Sequence, residues 1–207
     1  MIILKKGSRG SQVKVLQKAL NLYEDGIFGN LTEEAVKQFQ KSHGLVVDGV
    51  VGNKTWALLL PNGNANSLVK SKRNIKEIIV HCTATPEGRP VSIAEITRWH
   101  KQRGFTTIGY HYVVMLDGSI CNGRDVNISG AHCTNHNSIS IGVCYVGGLT
   151  KDGKTAKDTR TPAQKYALLT LLKKLKAMYP QAKIYGHRDF AAKACPCFDC
   201  KQEYNNI

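Results

Sequence analysis

Two histidines and a cysteine carry the strongest chemical signal in this sequence: His81, His187 and Cys195. His81 directly follows the apolar run Ile78-Ile79-Val80. His187 stands in Gly186-His-Arg-Asp189, just past a second short apolar run, and Cys195 comes eight residues later in a proline-containing loop. Imidazole nitrogen and thiolate sulfur are good donors for a borderline-soft metal ion. Three protein ligands leave a fourth tetrahedral position open to water, which is the arrangement of a catalytic site. Cys195-Pro-Cys197-Phe-Asp-Cys200 offers a competing arrangement, a closed structural site of three thiolates with a fourth ligand such as His187. That short spacing is unlike the usual paired knuckles.

The elements around these residues alternate in type. Residues 76–80 read as a buried strand, and Ser92-x-x-Glu95 is a capping box opening a helix through about Arg103. Residues 110–116, the turn Asp117-Gly118 and residues 119–121 read as a hairpin, and 139–146 as another apolar strand. Thr161-Pro-Ala-Gln164 is a second capping box, opening a helix with Tyr166, Leu169, Leu172, Leu175 and Met178 along one stripe. Residues 182–185 form a last strand. This alternation predicts an α/β sheet covered by helices over residues 75–207.

The first sixty residues differ. Ser11 is expected to cap a helix bearing Val13, Leu16 and Leu20, and Thr32 a second bearing Ala35, Val36 and Phe39. A short third starts near Asn53 or Thr55 and carries Trp56, Leu59 and Leu60. Asp25-Gly-Ile-Phe-Gly-Asn-Leu-Thr32 is echoed by Asp48-Gly-Val-Val-Gly-Asn-Lys-Thr55. Residues 1–61 are thus a small all-α three-helix domain, and the polar, turn-rich stretch 62–74 is a linker.

The net charge of +14 is spread as +3 over residues 1–60, +3 over 61–74 and +8 over 75–207. Such a surface favours polyanions, either nucleic acid or anionic cell wall. No nucleic-acid motif or interleaved aromatic pattern supports the first, so no specific nucleic-acid partner is expected. No apolar run has membrane-span length, so no membrane insertion is expected. The start Met1-Ile-Ile-Leu-Lys-Lys is unlike a secretory signal, which implies synthesis in the cytoplasm with reduced thiols. Seven cysteines is an odd number, so at least one is unpaired or bound to something else. Cys82 and Cys144, in apolar strands, read as buried small hydrophobes.

Val80-His-Cys-Thr-Ala-Thr85, Gly109-Tyr-His-Tyr112, Asn135-His-Asn-Ser-Ile139, Gly186-His-Arg-Asp189 and Lys193-Ala-Cys-Pro196 stand in family order and resemble the zinc amidases. That family includes phage lysozyme-type enzymes and peptidoglycan recognition proteins. The resemblance implies a mixed central sheet flanked by helices and hydrolysis of the bond between N-acetylmuramic acid and L-alanine in bacterial peptidoglycan. It makes His81, His187 and Cys195 the ligands of one zinc ion, with Tyr110 and Lys193 as catalytic partners. Strand alternation alone puts Tyr110 and Tyr112 on one face; the resemblance selects Tyr110 and leaves Tyr112 to sheet packing. His132 and Asn137 match the groove wall, as substrate contacts or as structure. His100 and His111 read as packing residues and His43 as a surface residue. No glutamate stands out as a general base. Lys193 matches the phage-type version, implying a monomeric phage or prophage endolysin that meets the wall after release, through a phage pore. Relatives without the ligand cysteine would be non-enzymatic, whereas here Cys195, Lys193 and Tyr110 are all present.

Residues 3–60 resemble a small three-helix peptidoglycan-binding domain. The resemblance rests on Gly7 to Gly10, Val13-x-x-Leu-Gln17, Asp25-Gly-x-Phe-Gly29, Thr32-x-x-Ala-Val36, Phe39-Gln40 and Asp48-Gly-x-x-Gly52 to Trp56. These residues make the fold without locating its binding surface.

Overall fold

The structure, a computed structural model, describes residues 3–59 and 68–207. The first part holds α1 (Ser11–Ala19), α2 (Asn30–Ser42) and α3 (Asn53–Leu59). Leu4, Val13, Leu16, Phe28, Val36, Val51, Trp56 and Leu59 form its core. Leu60, Pro61 and the linker residues 62–67 lie outside the described residues.

The sequence echo marks a duplicated hydrogen-bond knot. The Gln17 carboxamide donates to Asp25 Oδ1 (2.6 Å), the Ile27 carbonyl (3.1 Å) and Thr32 Oγ1 (3.2 Å), and accepts from the Gly26 amide (2.9 Å). Gln40 repeats this with Asp48 (2.8 Å), the Val50 carbonyl (3.0 Å), Thr55 (3.2 Å) and the Gly49 amide (2.9 Å). Thr32 is therefore not a cap: α2 starts two residues earlier, after Gly29, and the Thr32 hydroxyl faces the knot. α1 likewise follows Gly10 rather than a side-chain cap. Gly26 and Gly49 hold positive φ (77° and 70°), the conformation each turn needs to present its amide to the glutamine.

The knots make a pH prediction. The Gln17 carboxamide, then the Ile27 amide, lowers the Asp25 pKa; the Val50 amide, then Gln40, lowers that of Asp48. Depressed carboxylates contribute stability above their unfolded value of 3.8 and lose it as pH falls through the lower folded value. Denaturation of the full chain followed at buried Trp56 should show a midpoint level above about pH 5 that drops below about pH 4. A midpoint flat through that range would refute it.

The second part contains, in chain order, β1 (Glu77–Cys82), β2 (Thr85–Pro86), α4 (Ile93–Gln102), β3 (Tyr112–Val114), β4 (Ile120–Asn122), β5 (Ser140–Tyr145), β6 (Gly148–Leu149), α5 (Pro162–Met178), β7 (Lys183–Gly186) and α6 (Cys200–Glu203). The main sheet runs β4-β3-β5-β1-β7, with β3–β4 antiparallel and the other pairings parallel. It is the mixed sheet flanked by helices that the sequence implied. Parallel central strands are covered on both faces and read as continuous apolar runs, as β1 and β5 do.

Alternation on β1 sends Ile78, Val80 and Cys82 into the core shared with α5, where Leu168, Leu171, Leu172 and Leu175 are buried. The α5 stripe is rotated from the expected one. Leu169 and Met178 are only partly buried, and Tyr166 packs against the three-helix core. The Thr161–Gln164 capping box is complete. The α4 box is half made, because Glu95 pairs with Arg89 (2.6 Å) instead of returning to the Ser92 amide.

The stretch read as linker is tied down at its end. The Ser71 amide donates to Tyr179 Oη (2.6 Å), and the Arg73 guanidinium reaches the carbonyls of Val126 (2.8 Å), Asn137 (3.1 Å) and Ser140 (3.1 Å). At the far end of the chain, the Arg160 side chain is 1% exposed between Asp158 and Glu203, with its guanidinium 3.2 Å over the Phe198 ring.

Candidate metal centre

β1 and β7 are adjacent and parallel with Val80 opposite Gly186, so His81 and His187 leave the same end of the sheet side by side. Open α/β sheets place their ligand sites at this carboxyl end. His187 opens a short 3₁₀ turn (His187–Asp189), in which the Asp189 carboxylate accepts from the Gly186 amide at 2.9 Å. The following loop returns Cys195 to the end of β1, where its Sγ accepts from the Cys82 amide at 3.3 Å and lies 3.9 Å from His81 Nδ1.

Donor atoms of His81, His187 and Cys195 all lie within 4.8 Å of one another. Bonds of about 2.0–2.3 Å to a tetrahedral zinc would set such donors about 3.3–3.6 Å apart, so small side-chain rotations close the set. Burial first, then His132 and His187, holds the His81 pKa well below its ordinary value; burial and Lys193 lower that of His187. Both shifts favour the neutral ring, the form that ligates metal. The residues fit a metal of zinc's preferences.

The competing thiolate site is not formed. Cys200 is buried in the main core, and Cys197 Sγ faces Cys82 Sγ at 3.8 Å. Among the described residues, His81, His187 and Cys195 are the one His, Cys, Asp or Glu group converging closely enough to hold an ion. Cys144 is buried in β5 as expected, while Cys82 is both buried and in contact with the loop that carries Cys195.

Tyr110 and Tyr112 separate, contrary to strand alternation. β3 begins only at Tyr112, which enters the main core; Tyr110 sits in irregular backbone on the other face, with its ring centroid 5.2 Å from that of His81. Burial, then Cys144, raises the Tyr110 pKa well above its ordinary value, so the phenol keeps its proton. His100 packs against that ring (5.1 Å) and accepts from the Gly109 amide at 2.8 Å, fixing the approach to Tyr110. Lys193 is exposed, and its charge bears on both His81 and His187.

His132 lies against the site from beneath, its Nδ1 3.0 Å from His81 Nε2. The Asn137 carboxamide oxygen accepts from the amides of His132 (2.8 Å) and Cys133 (2.9 Å), which gives Asn137 a loop-holding role. His111 is buried, with Nδ1 accepting from the Gly142 amide at 2.9 Å. His43 is exposed and stacks on Phe39. The inward contact of His132 had no signal in the sequence, because it joins β1 to a loop 51 residues away.

A mixed sheet with an open N/N/S donor set at the carboxyl ends of β1 and β7 is the layout of a site that can hold a metal ion with a position left for water, as metal-dependent hydrolases need. Residues 71–198 match the N-acetylmuramoyl-L-alanine amidase family, and residues 9–59 match the putative peptidoglycan binding domain. The chain belongs to the N-acetylmuramoyl-L-alanine amidase family. It is 42% identical over 131 residues to the endolysin of Klebsiella phage KP32, covering 63% of this chain and 86% of that one. It is 41% identical over 133 residues to the endolysin of Escherichia phage T7, covering 64% and 87%. The amidase LysC from Clostridium intestinale URNW superimposes with a TM-score of 0.54 at 26% identity, over 68% of this chain and 95% of that one. The activity is hydrolysis of the amide bond between N-acetylmuramic acid and L-alanine in peptidoglycan.

Proposed function

We propose that this protein is a phage endolysin in which His81, His187 and Cys195 hold one zinc ion and Tyr110 and Lys193 assist the cleavage. The observation that carries this reading is the convergence of two imidazoles and one cysteine sulfur within 4.8 Å. A zinc ion bound there supplies hydroxide near neutral pH and polarises the scissile carbonyl. The protein groups do the rest. The protonated Tyr110 phenol, beside His81 and Cys144, orients the attacking water or the carbonyl. The Lys193 ammonium opposes the negative charge that grows on the carbonyl oxygen as the carbon becomes tetrahedral. Collapse breaks the C–N bond, leaving a carboxylate on the muramic acid lactyl group and a free amine on L-alanine.

The three-helix module holds the chain at the wall and raises the local substrate concentration at the catalytic domain. The chain acts as a monomer, is made in the cytoplasm and reaches the wall after release. Among the described residues, no helix is long and apolar enough to cross a membrane.

The test is mass spectrometry of purified peptidoglycan digested with and without a chelator, by the native protein, Tyr110→Phe and Lys193→Ala. Stem peptides with a free L-alanine amine, released only with metal present and more than about 10-fold more slowly by either variant, are expected. Cleaved sugar or peptide–peptide bonds, or full activity with chelator, would overturn the reading.

A further inference from the structure

Resting on the reading of His81 as a metal ligand, we propose that His132 is a positioning residue that fixes the His81 tautomer, leaving the Nδ1 lone pair free to face His187 and Cys195. His81 Nε2 and His132 Nδ1 are 3.0 Å apart. In a hydrogen bond between two imidazoles at that distance, one nitrogen donates and the other accepts. His81 Nδ1 is the atom turned toward Cys195 Sγ, at 3.9 Å. For Nδ1 to offer a lone pair, the His81 proton must sit on Nε2 and point at His132 Nδ1. The His132 proton then sits on its own Nε2, facing Ser140 Oγ at 3.4 Å. The result is a directional chain from His81 through His132 to Ser140.

The surroundings of His132 are built to hold this ring. A Cβ placed on Gly142 would come within 2.5 Å of His132 Cδ2, and one on Gly130 within 2.6 Å of its Nε2, so both glycines clear the slot it occupies. Asn137 clamps the backbone on either side of the residue through the His132 and Cys133 amides. Ser140 is fully buried at the start of β5. Groups that orient a metal-bound imidazole through its second nitrogen commonly change metal affinity by about 10- to 100-fold.

The experiment measures zinc affinity of the full chain by competition with a chromogenic chelator, for the native protein, His132→Asn and His132→Leu. The Asn carboxamide oxygen takes the place of Nδ1 as acceptor, whereas Leu fills the slot without accepting. His132→Leu should bind zinc about 10- to 100-fold more weakly, and His132→Asn should stay within about threefold of native. Native-like affinity in His132→Leu, or equal weakening in both variants, would reduce His132 to a space-filling residue and overturn the proposal. A native chain that takes up no zinc, or a His81→Ala chain that loads like the native one, would overturn the ligand reading itself. Should the Leu variant fail to fold, imidazole ¹⁵N NMR of the native protein decides. A proton on His81 Nε2 is expected, and one on Nδ1 would overturn the assignment.

Discussion

On the proposed ligand set, Cys195→Ala should fail to hold zinc and lose more than about 100-fold in amidase activity, because groups that merely orient ligands already account for about 10- to 100-fold. The fold should survive. Cys195 lies at the half-buried rim of the core, and its Sγ accepts one backbone amide, from Cys82, which the shortened side chain leaves near the cleft. Its two companions stay in place, since His81 and His187 are fixed by the register of adjacent parallel strands. Two imidazoles alone bind zinc far more weakly than two with a thiolate. Metal content by elemental analysis, turbidity loss of cell-wall suspensions and near-ultraviolet circular dichroism separate a lost ligand from a lost fold. Near-native activity with one zinc per chain would refute the ligand assignment.

The largest loss of stability is expected at Arg160. Its side chain is almost fully buried, and its partners span the chain: Asp158 Oδ1 at 2.8 Å, Glu203 Oε2 at 2.8 Å, Tyr204 Oη at 2.9 Å and the Phe198 ring face at 3.2 Å. Burial by itself would lower the Arg160 pKa, but the carboxylates of Asp158 and Glu203 more than reverse it, and the net direction is up. Removing one partner of a buried pair costs about 3–5 kcal/mol, since the remaining charges are stranded. Asp158 and Glu203 retain some solvent contact, at 25% and 40% exposure, so Arg160→Ala should fall near about 3 kcal/mol. For a chain of this size that lowers the melting temperature by about 6–12 °C. The damage should also reach the metal site, because Phe198 and Glu203 anchor the segment that follows Cys195. A melting temperature unchanged within about 1 °C would refute the clamp.

The sheet and the residues that converge at its end were legible because each follows from local pattern: an apolar run leading to His81, a second ending before His187, and helices opened by Ser92 and Thr161. What stayed hidden depends on pairs far apart in sequence. Arg160 meets Glu203 and Tyr204 across 43 and 44 residues of chain, and nothing near Arg160 in sequence announces it. His132 turns inward because Gly142, on a different element, leaves it room. Tyr110 and Tyr112 part company because regular pairing starts one residue after His111, so period-two alternation does not extend back to Tyr110. The echo around Asp25 and Asp48 was visible, and Gln17 and Gln40 stand among the motif residues, yet nothing local shows that their side chains organise the two turns. Cys197 and Cys200 are neighbours in sequence, but the loop turns Cys197 toward Cys82.

The duplicated knot has a further consequence. The same steps along the chain separate Gln17 from Asp25 and Thr32 as separate Gln40 from Asp48 and Thr55, and matching atoms bond at nearly matching distances. The module thus contains one motif in two settings, the first closed by α2 and the second by α3. Each copy serves as an internal control for the other: any difference between equivalent substitutions in the two reports the setting alone, since the bonds removed are the same.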